Sequence, residues 1–255
     1  MTVEHNLVPQ AMSLAVHELR TPVTVVSGYL RMLLREQAGP LNEKQKKMLE
    51  EADRSCTRLG ALVAEMSDFG KLEGSEVRFA SQDFDLAGLA AELASGLHDG
   101  EDRGVYLEAR AVMPVGMKEI RVTGDRSRIA AAVKALMQSA LRERVEPGVL
   151  LVRCSAGTGQ PACAVLVIGD EASLPELERA ASAPPSDFDE WRGGLGLALP
   201  VARRVIDAHG GAVWSAGAHA RATSALRLPL SASAPSELRR DTSAAAASPL
   251  RRDQQ

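Results

Sequence analysis

The sequence predicts an α+β protein: an antiparallel helical hairpin over residues 1–74, an α/β sandwich over residues 77–230 and a disordered tail over residues 231–255. The hairpin follows from apolar residues that recur at alternating steps of four and three, the spacing of helices that pack on helices. The sandwich follows from short apolar runs alternating with Ala-rich helical stretches. The tail follows from a composition of Ser, Ala, Pro and Arg.

The overall composition is that of a globular protein with an aliphatic core. Of 255 residues, 45% are hydrophobic and 25% charged, but only 3% are aromatic. The formal net charge of −3 gives no polyelectrolyte signal for nucleic acid or an anionic membrane, so we expect neither partner. No apolar run approaches the roughly 20 residues of a membrane helix, and no signal-peptide pattern is present. We therefore expect a cytoplasmic protein without a membrane span.

The three cysteines predict neither a disulfide framework nor a metal site. Cys56, Cys154 and Cys163 are an odd number without ligand-like spacing. This usage is typical of proteins in a reducing compartment.

The first helix is predicted from Leu7 to Glu36, where a Gly39-Pro40 turn follows. Asn42 can cap the second helix, with Gln45 as its capping-box partner, and that helix is expected to end near residue 74. The two predicted seams share the four-and-three spacing and run Met12, Val16, Leu19, Val23, Val26, Leu30 and Leu33, then Met48, Ala52, Ser55, Leu59, Leu62, Met66 and Phe69.

A single hairpin leaves half of each seam exposed. A symmetric homodimer that completes a four-helix bundle would cover both halves. The alternative is a monomer whose hairpin packs against its own second domain.

The second domain is predicted as strands and helices in mixed order. Strands are expected at 77–79, 105–109, 120–122, 149–154, 162–168, 212–214 and 224–230, with 149–154 and 162–168 joined as a hairpin across a turn at 157–159. Helices are expected at 84–97, 125–142 and 194–209.

One position of the first helix carries reactive chemistry. In the seam register His17 points away from the packing face. A neutral imidazole keeps one ring nitrogen free as a nucleophile, and Glu18 can hold or accept the proton of the other nitrogen. Thr21 lies one helical turn further on, where its hydroxyl can position a water or a phosphoryl oxygen. Pro22 removes a backbone donor directly after these residues.

The unbroken run His17-Glu18-Leu19-Arg20-Thr21-Pro22 resembles the phosphoacceptor motif of two-component sensor histidine kinases. The resemblance implies that His17 accepts a phosphoryl group with Glu18 as base, and that Thr21 positions water in a phosphatase reaction. It implies a homodimer and transfer from His17 to an aspartate on a response-regulator receiver domain. We expect the signal to arrive through a partner, such as an upstream sensor protein, or through the tail.

The element order of the second domain resembles the Bergerat-type ATP-binding domain of the same kinases. The run from Arg192 into the following helix resembles the family's second glycine box, with Arg192 in place of its leading glycine. Backbone N–H groups at a glycine-rich helix start can bind an anion. The resemblance implies ATP and Mg2+ as cofactors. It implies triphosphate contacts from Gly193, Gly194, Leu195 and Gly196.

The other nucleotide motifs depart from the family pattern. Its two asparagines fall on Ala135 and Ser139, so a hydroxyl stands where the family holds its Mg2+ ligand. Arg142 falls where a basic residue meets phosphate. Asp170 corresponds to the aspartate that accepts from the adenine amino group, but the two glycines that should follow it are absent. The lid, about Leu174 to Trp191, is short and acidic.

These departures leave three functions open. The chain is an ATP-dependent protein-histidine kinase, a relay in which His17 accepts phosphoryl groups while the second domain is a non-catalytic scaffold, or a phosphatase that uses Thr21. All three use an exposed histidine on a bundle that binds a receiver domain.

Overall fold

A computed structural model of the chain describes residues 7–74, 77–157, 162–184, 188–217 and 221–231. The predicted tail beyond residue 231 and the turn at 158–159 lie outside these residues. The helices within them are α1 Leu7–Leu34, α2 Glu43–Glu73, α3 Leu86–Ser95, α4 Arg126–Glu143, α5 Leu174–Arg179 and α6 Ala198–Ala208. The strands are β1 Gln82–Asp85, β2 Val105–Val112, β3 Arg121–Gly124, β4 Gly148–Gly157, β5 Cys163–Gly169, β6 Ala212–Trp214 and β7 Ser224–Pro229.

The two long helices form the predicted hairpin. The capping box is confirmed: the Asn42 side chain accepts from the Gln45 backbone N–H at 2.9 Å, and the Gln45 side chain accepts from the Asn42 N–H at 2.9 Å. Helix α1 continues through Pro22 without interruption. No helix in the described part of the chain combines the length and the apolar character needed to cross a bilayer.

The stripe of α2 that packs on α1 differs from the predicted one. It centres on Cys56 and Val63, which are buried, whereas Ser55 is exposed and Leu62 half-buried. The Cys56 thiol lies 3.2 Å from the Ser27 hydroxyl and 3.6 Å from the Val23 carbonyl oxygen. Apolar side chains on the outer faces of the hairpin stay exposed: Leu14, Leu19, Val25, Val26, Tyr29, Met32, Met48 and Leu59.

The second domain is a mixed five-stranded sheet with helices on both faces. Its strand order is β2-β4-β5-β7-β6, with β2 parallel to β4 and the other neighbours antiparallel. Helices α3, α4 and α6 supply the main core on one face. On the other face α5 packs on Trp214, whose indole N–H donates to the Leu177 carbonyl at 3.1 Å. The predicted fold of a helical hairpin followed by an α/β sandwich is confirmed.

The strand predicted at 77–79 is wrong, since that segment has no regular structure. The strand comes later, as β1, and pairs with β3 in a separate two-stranded sheet. Phe79 instead packs edge-on against the His209 ring, with 4.7 Å between the centroids. The side chain of Phe79 thus contacts a residue 130 positions further along the chain. No local sequence pattern indicates such a contact.

Two predicted helices begin too early. The helix predicted from residue 84 begins at Leu86, because Phe84 belongs to β1 and the Asp85 side chain caps the helix by accepting from the Ala87 and Gly88 N–H groups. The helix predicted from residue 194 begins at Ala198. Its predicted first turn contains residues with left-handed backbone, which an α-helix does not accept.

Candidate functional site

His17 is presented to solvent on α1. Its side chain is 78% exposed, and its Nδ1 lies 3.4 Å from Oε1 of Glu18, which is itself 71% exposed. When Nδ1 carries the proton and faces the carboxylate, Nε2 keeps its lone pair and points to water. The pair can therefore act as a nucleophile with an adjacent carboxylate. This is the geometry that the sequence predicts.

The turn after His17 has a reduced backbone hydrogen-bond pattern. Pro22 lacks the N–H that would bond to the Glu18 carbonyl within α1. The Thr24 hydroxyl donates to the Arg20 carbonyl at 2.8 Å, so a side chain takes up one helical acceptor. Thr21 is exposed, one turn beyond His17. Its hydroxyl is open to an incoming partner.

The second group of predicted site residues lies where the glycine segment, residues 192–196, meets α4. Gly193, Gly194 and Gly196 have φ angles of 71°, 61° and 63°, a left-handed backbone that favours glycine. A Cβ at Gly193 would lie 2.7 Å from the Ser139 hydroxyl oxygen, while the space beside Gly194 is open. The segment therefore packs tightly on α4 at one end and faces open space in its middle.

Ser139 is fully buried and already bonded. Its hydroxyl donates to Oε1 of Glu143 at 3.1 Å. The other carboxylate oxygen of Glu143 accepts from the Ala222 N–H at 2.7 Å. A metal ion at Ser139 would have to displace these contacts.

Arg192 extends from the glycine segment into the same space. It lies 3.5 Å from Glu143, and both side chains are less than 10% exposed. The guanidinium donates to the Thr223 carbonyl and to the Ser224 hydroxyl, and its carbon lies 4.8 Å from the Phe188 ring centroid. Burial lowers the pKa of Arg192, and the charge of Glu143 opposes that shift.

Sequence reasoning noted Arg192 only as a missing glycine, and it missed Glu143. The signal in the sequence was a pair of opposite charges. Glu143 directly follows Arg142, and Arg192 stands at the glycine position.

Asp170 also has partners from its own chain. Oδ1 accepts from the Ser173 N–H at 3.0 Å, and Oδ2 accepts from Arg144 at 3.3 Å. The Ser173 hydrogen bonds, together with the Arg144 charge, hold the pKa of Asp170 below its ordinary value despite partial burial. Each oxygen of Asp170 thus already accepts one hydrogen bond within the chain, while the side chain stays 45% exposed.

The phosphate end of this region also has partners from the protein itself. Arg142 donates to the Gly194 carbonyl at 3.1 Å. The Leu197 N–H, at the start of α6, donates to the Glu65 carboxylate at 3.1 Å. Leu195 packs against the main core. The glycine segment and its neighbouring base are therefore bound to the protein itself.

Mg2+-ATP does not fit these residues as they stand. The Ser139 hydroxyl, which stands at the metal position, is buried and donates its hydrogen to Glu143, and Mg2+ demands near-ideal oxygen ligation. The described residues contain no group of three or more His, Cys, Asp or Glu side chains that could hold a metal. A cavity of about 310 Å³ does lie between α2, α4 and α6, lined mainly by Ala and Val with Glu65, Arg128 and Lys134.

His209 has a structural role. Its Nδ1 lies 2.6 Å from the Val205 carbonyl oxygen, and its Nε2 lies 3.1 Å from the Asp125 nitrogen. A carbonyl only accepts and an amide only donates, so these partners select the neutral tautomer with the proton on Nδ1. The ring joins the end of α6 to the start of α4.

The hairpin matches a known domain family. Residues 10–75 match the model of the His Kinase A (phospho-acceptor) domain. Over 203 residues the chain is 26% identical to the signal transduction histidine-protein kinase BarA of Escherichia coli strain K12, covering 76% of this chain and 22% of BarA. The chain spans about a quarter of the length of the first curated relatives it matches.

Solved structures share the fold across both domains. Full-length ShkA, in complex with AMPPNP, aligns with a TM-score of 0.65 at 20% identity over 88% of this chain and 46% of that one. The kinase ThkA, in complex with the response regulator protein TrrA, aligns with a TM-score of 0.50 at 19% identity over 87% of this chain and 61% of that one.

Proposed function

We propose that this chain, a relative of the two-component sensor histidine kinases with a His Kinase A phospho-acceptor domain, carries a phosphoryl group on His17 and passes it to a response-regulator aspartate. The observation that carries the proposal is the exposed His17–Glu18 pair within the segment that matches the phospho-acceptor model.

In the proposed reaction Nε2 of His17 attacks the phosphorus of a donor. An N–P bond forms, and the bond from phosphorus to the donor's oxygen breaks. The imidazole becomes more acidic as it is phosphorylated, and Glu18, 3.4 Å from Nδ1, stabilises or accepts the Nδ1 proton. In the second step the receiver carboxylate attacks the same phosphorus and the N–P bond breaks. Thr21, exposed one turn away, is suited to hold a water when the acyl phosphate is hydrolysed.

The proposed donor reaction is that of a protein-histidine kinase. BarA is named a histidine-protein kinase, and the structure of ShkA contains AMPPNP, a nucleotide. These likenesses favour nucleotide binding by the second domain over the relay alternative. The likenesses do not extend to Mg2+ binding, because Ser139 stands here at the position of the Mg2+ ligand. The residues of the cleft do not fit Mg2+-ATP in this conformation.

Two protein partners belong to the proposal. One is a receiver domain, as in the ThkA complex with TrrA, docking on the hairpin beside His17. The other is a second copy of the chain. Its support is the set of exposed apolar side chains on the outer faces of α1 and α2, including Leu19 at 44% and Val26 at 50% exposure.

His17→Gln tests the proposal. The protein is incubated separately with γ-labelled ATP and Mg2+ and with a phosphorylated receiver domain, and acid-labile label on the chain is measured. We expect the wild type to be labelled and His17→Gln to lose all label. His98→Gln is the matched control, because His98 is also exposed and lies 2.8 Å from a carboxylate, that of Glu101. Retained label in His17→Gln, or equal loss in both variants, contradicts the proposal.

A further inference from the structure

The five-stranded sheet has one long open edge. Strand β2 pairs with β4 on one side and has no neighbouring strand on its other side in the described part of the chain. The strand at the opposite edge, β6, has only three residues. In a strand that is paired on one side, alternate residues direct their backbone N–H and C=O groups to the free side. The eight residues of β2 can therefore pair with a further strand.

The outer face of β2 carries both apolar and charged side chains. Tyr106 and Val112 are 50% and 52% exposed. Between them Glu108 and Arg110 are each 50% exposed, and Nε of Arg110 lies 2.8 Å from Oε1 of Glu108. Edges that stay unpaired are commonly protected by Lys, by Pro or by a bulge. Strand β2 contains no Lys and no Pro, and its register with β4 is continuous, so none of these devices blocks a partner strand.

The order of these side chains is complementary to itself. When two copies of β2 pair in antiparallel orientation about a two-fold axis at Ala109, Glu108 of each copy faces Arg110 of the other. Tyr106 of each copy then faces Val112 of the other. The Cβ atoms of directly opposite residues lie about 4.5–5.5 Å apart, and opposite charges at that distance stabilise the pair. The four charges at the junction therefore alternate in sign along and across the strands.

The same charges disfavour the neighbouring registers. Moving the axis by one residue to Glu108 places two Glu108 carboxylates opposite each other, and moving it to Arg110 does the same with two guanidinium groups. Like charges directly opposite each other destabilise a strand pair. An axis between two residues would place the outer face of one strand beside the core face of the other. The sequence of β2 therefore specifies one register, with the small side chain of Ala109 at its centre.

We infer that β2 is a docking edge for a second copy of this chain: two β2 strands pair in antiparallel orientation and join the two five-stranded sheets, with Glu108–Arg110 pairs across the junction. This surface is separate from the outer faces of α1 and α2, on which the proposed hairpin dimer rests. Each surface binds a copy through a two-fold axis of its own, so a chain that uses both forms assemblies larger than a dimer. The pairing does not involve His17 or phosphoryl transfer.

Charge reversal tests the docking edge. Arg110→Glu and Glu108→Arg each turn two stabilising cross-strand pairs into two repulsive ones, so each is expected to weaken this association at least about tenfold. The double variant Glu108→Arg/Arg110→Glu restores opposite charges across the junction and should assemble like the wild type. Arg126→Glu is the control for net charge, because Arg126 of α4 also lies 2.8 Å from a carboxylate, that of Glu92. Sedimentation velocity of the whole chain over a range of concentrations measures the association.

Hydrogen exchange shows whether the backbone of β2 forms the contact. Protection of alternate β2 amides should rise with protein concentration in the wild type and in the double variant, but not in Arg110→Glu or Glu108→Arg. Equal association in the wild type and both single variants overturns the inference. A double variant that stays as weak as the single ones, or β2 protection that is independent of concentration, also overturns it. Labelling of His17 tests the proposed function separately, because β2 takes no part in that reaction.

Discussion

Removing the Glu143 carboxylate is expected to destabilise the second domain strongly. The carboxylate receives the Ser139 hydroxyl and the Ala222 N–H and faces the buried Arg192 guanidinium. Glu143→Ala leaves that cation buried without its counter-charge, a change that costs about 3–5 kcal/mol. For a protein of this size each kcal/mol lowers the melting temperature by about 2–4 °C. We expect a fall of about 6–20 °C.

The assay is thermal and urea unfolding followed by circular dichroism. Glu146→Ala, an exposed acid three residues further on, is the control and should unfold like the wild type. Combining Glu143→Ala with Arg192→Met should cost less than the two single changes added together, by about 0.5–3 kcal/mol of coupling. A Glu143→Ala protein within about 1 kcal/mol of the wild type, or strictly additive effects, would refute the argument.

Two further predictions concern the glycine segment and the acid limit of stability. Gly193→Ala and Gly194→Ala both place a side chain at positive φ, which costs about 1–2 kcal/mol, but only the Cβ at position 193 meets the Ser139 hydroxyl. Urea unfolding should therefore show a larger loss of stability for Gly193→Ala than for Gly194→Ala. Equal losses of stability would contradict the tight packing. The Ser173 hydrogen bonds lower the pKa of Asp170, so its stabilisation exists above the unfolded value of about 3.9 and is lost as pH falls through the folded value. The stability difference between wild type and Asp170→Asn should accordingly be constant above about pH 5 and shrink below about pH 4 in acid titrations of unfolding.

The elements that local patterns specify were predictable from the sequence. The capping box at Asn42 and Gln45 depends on residues three apart, and the structure contains both of its hydrogen bonds. The β4–β5 hairpin follows from two continuous apolar runs; β5 is buried along its whole length, and β4 is buried in its central part. The exposure of His17 follows from its position relative to the packing face of α1. In each case the determining contacts lie within a few residues or one helical period.

The errors arose where a distant residue decides the local structure. Phe79 looked like part of a strand but packs on His209. The stripe of α2 lies one position from the predicted seam because Cys56 fits between Val23 and Ser27 of α1. Helical spacing alone does not distinguish two adjacent stripes when both contain apolar residues. Only the partner's surface selects one of them.

The departures in the nucleotide motifs are not independent of one another. An arginine in the place of a glycine would be costly in a buried segment unless an acid faced it, and Glu143 is that acid. Glu143 also binds Ser139, the residue at the metal position. Arg192, Glu143 and Ser139 are therefore one unit, joined by an ion pair and a hydrogen bond. An asparagine placed at position 139 alone would leave the buried Arg192–Glu143 ion pair in the cleft.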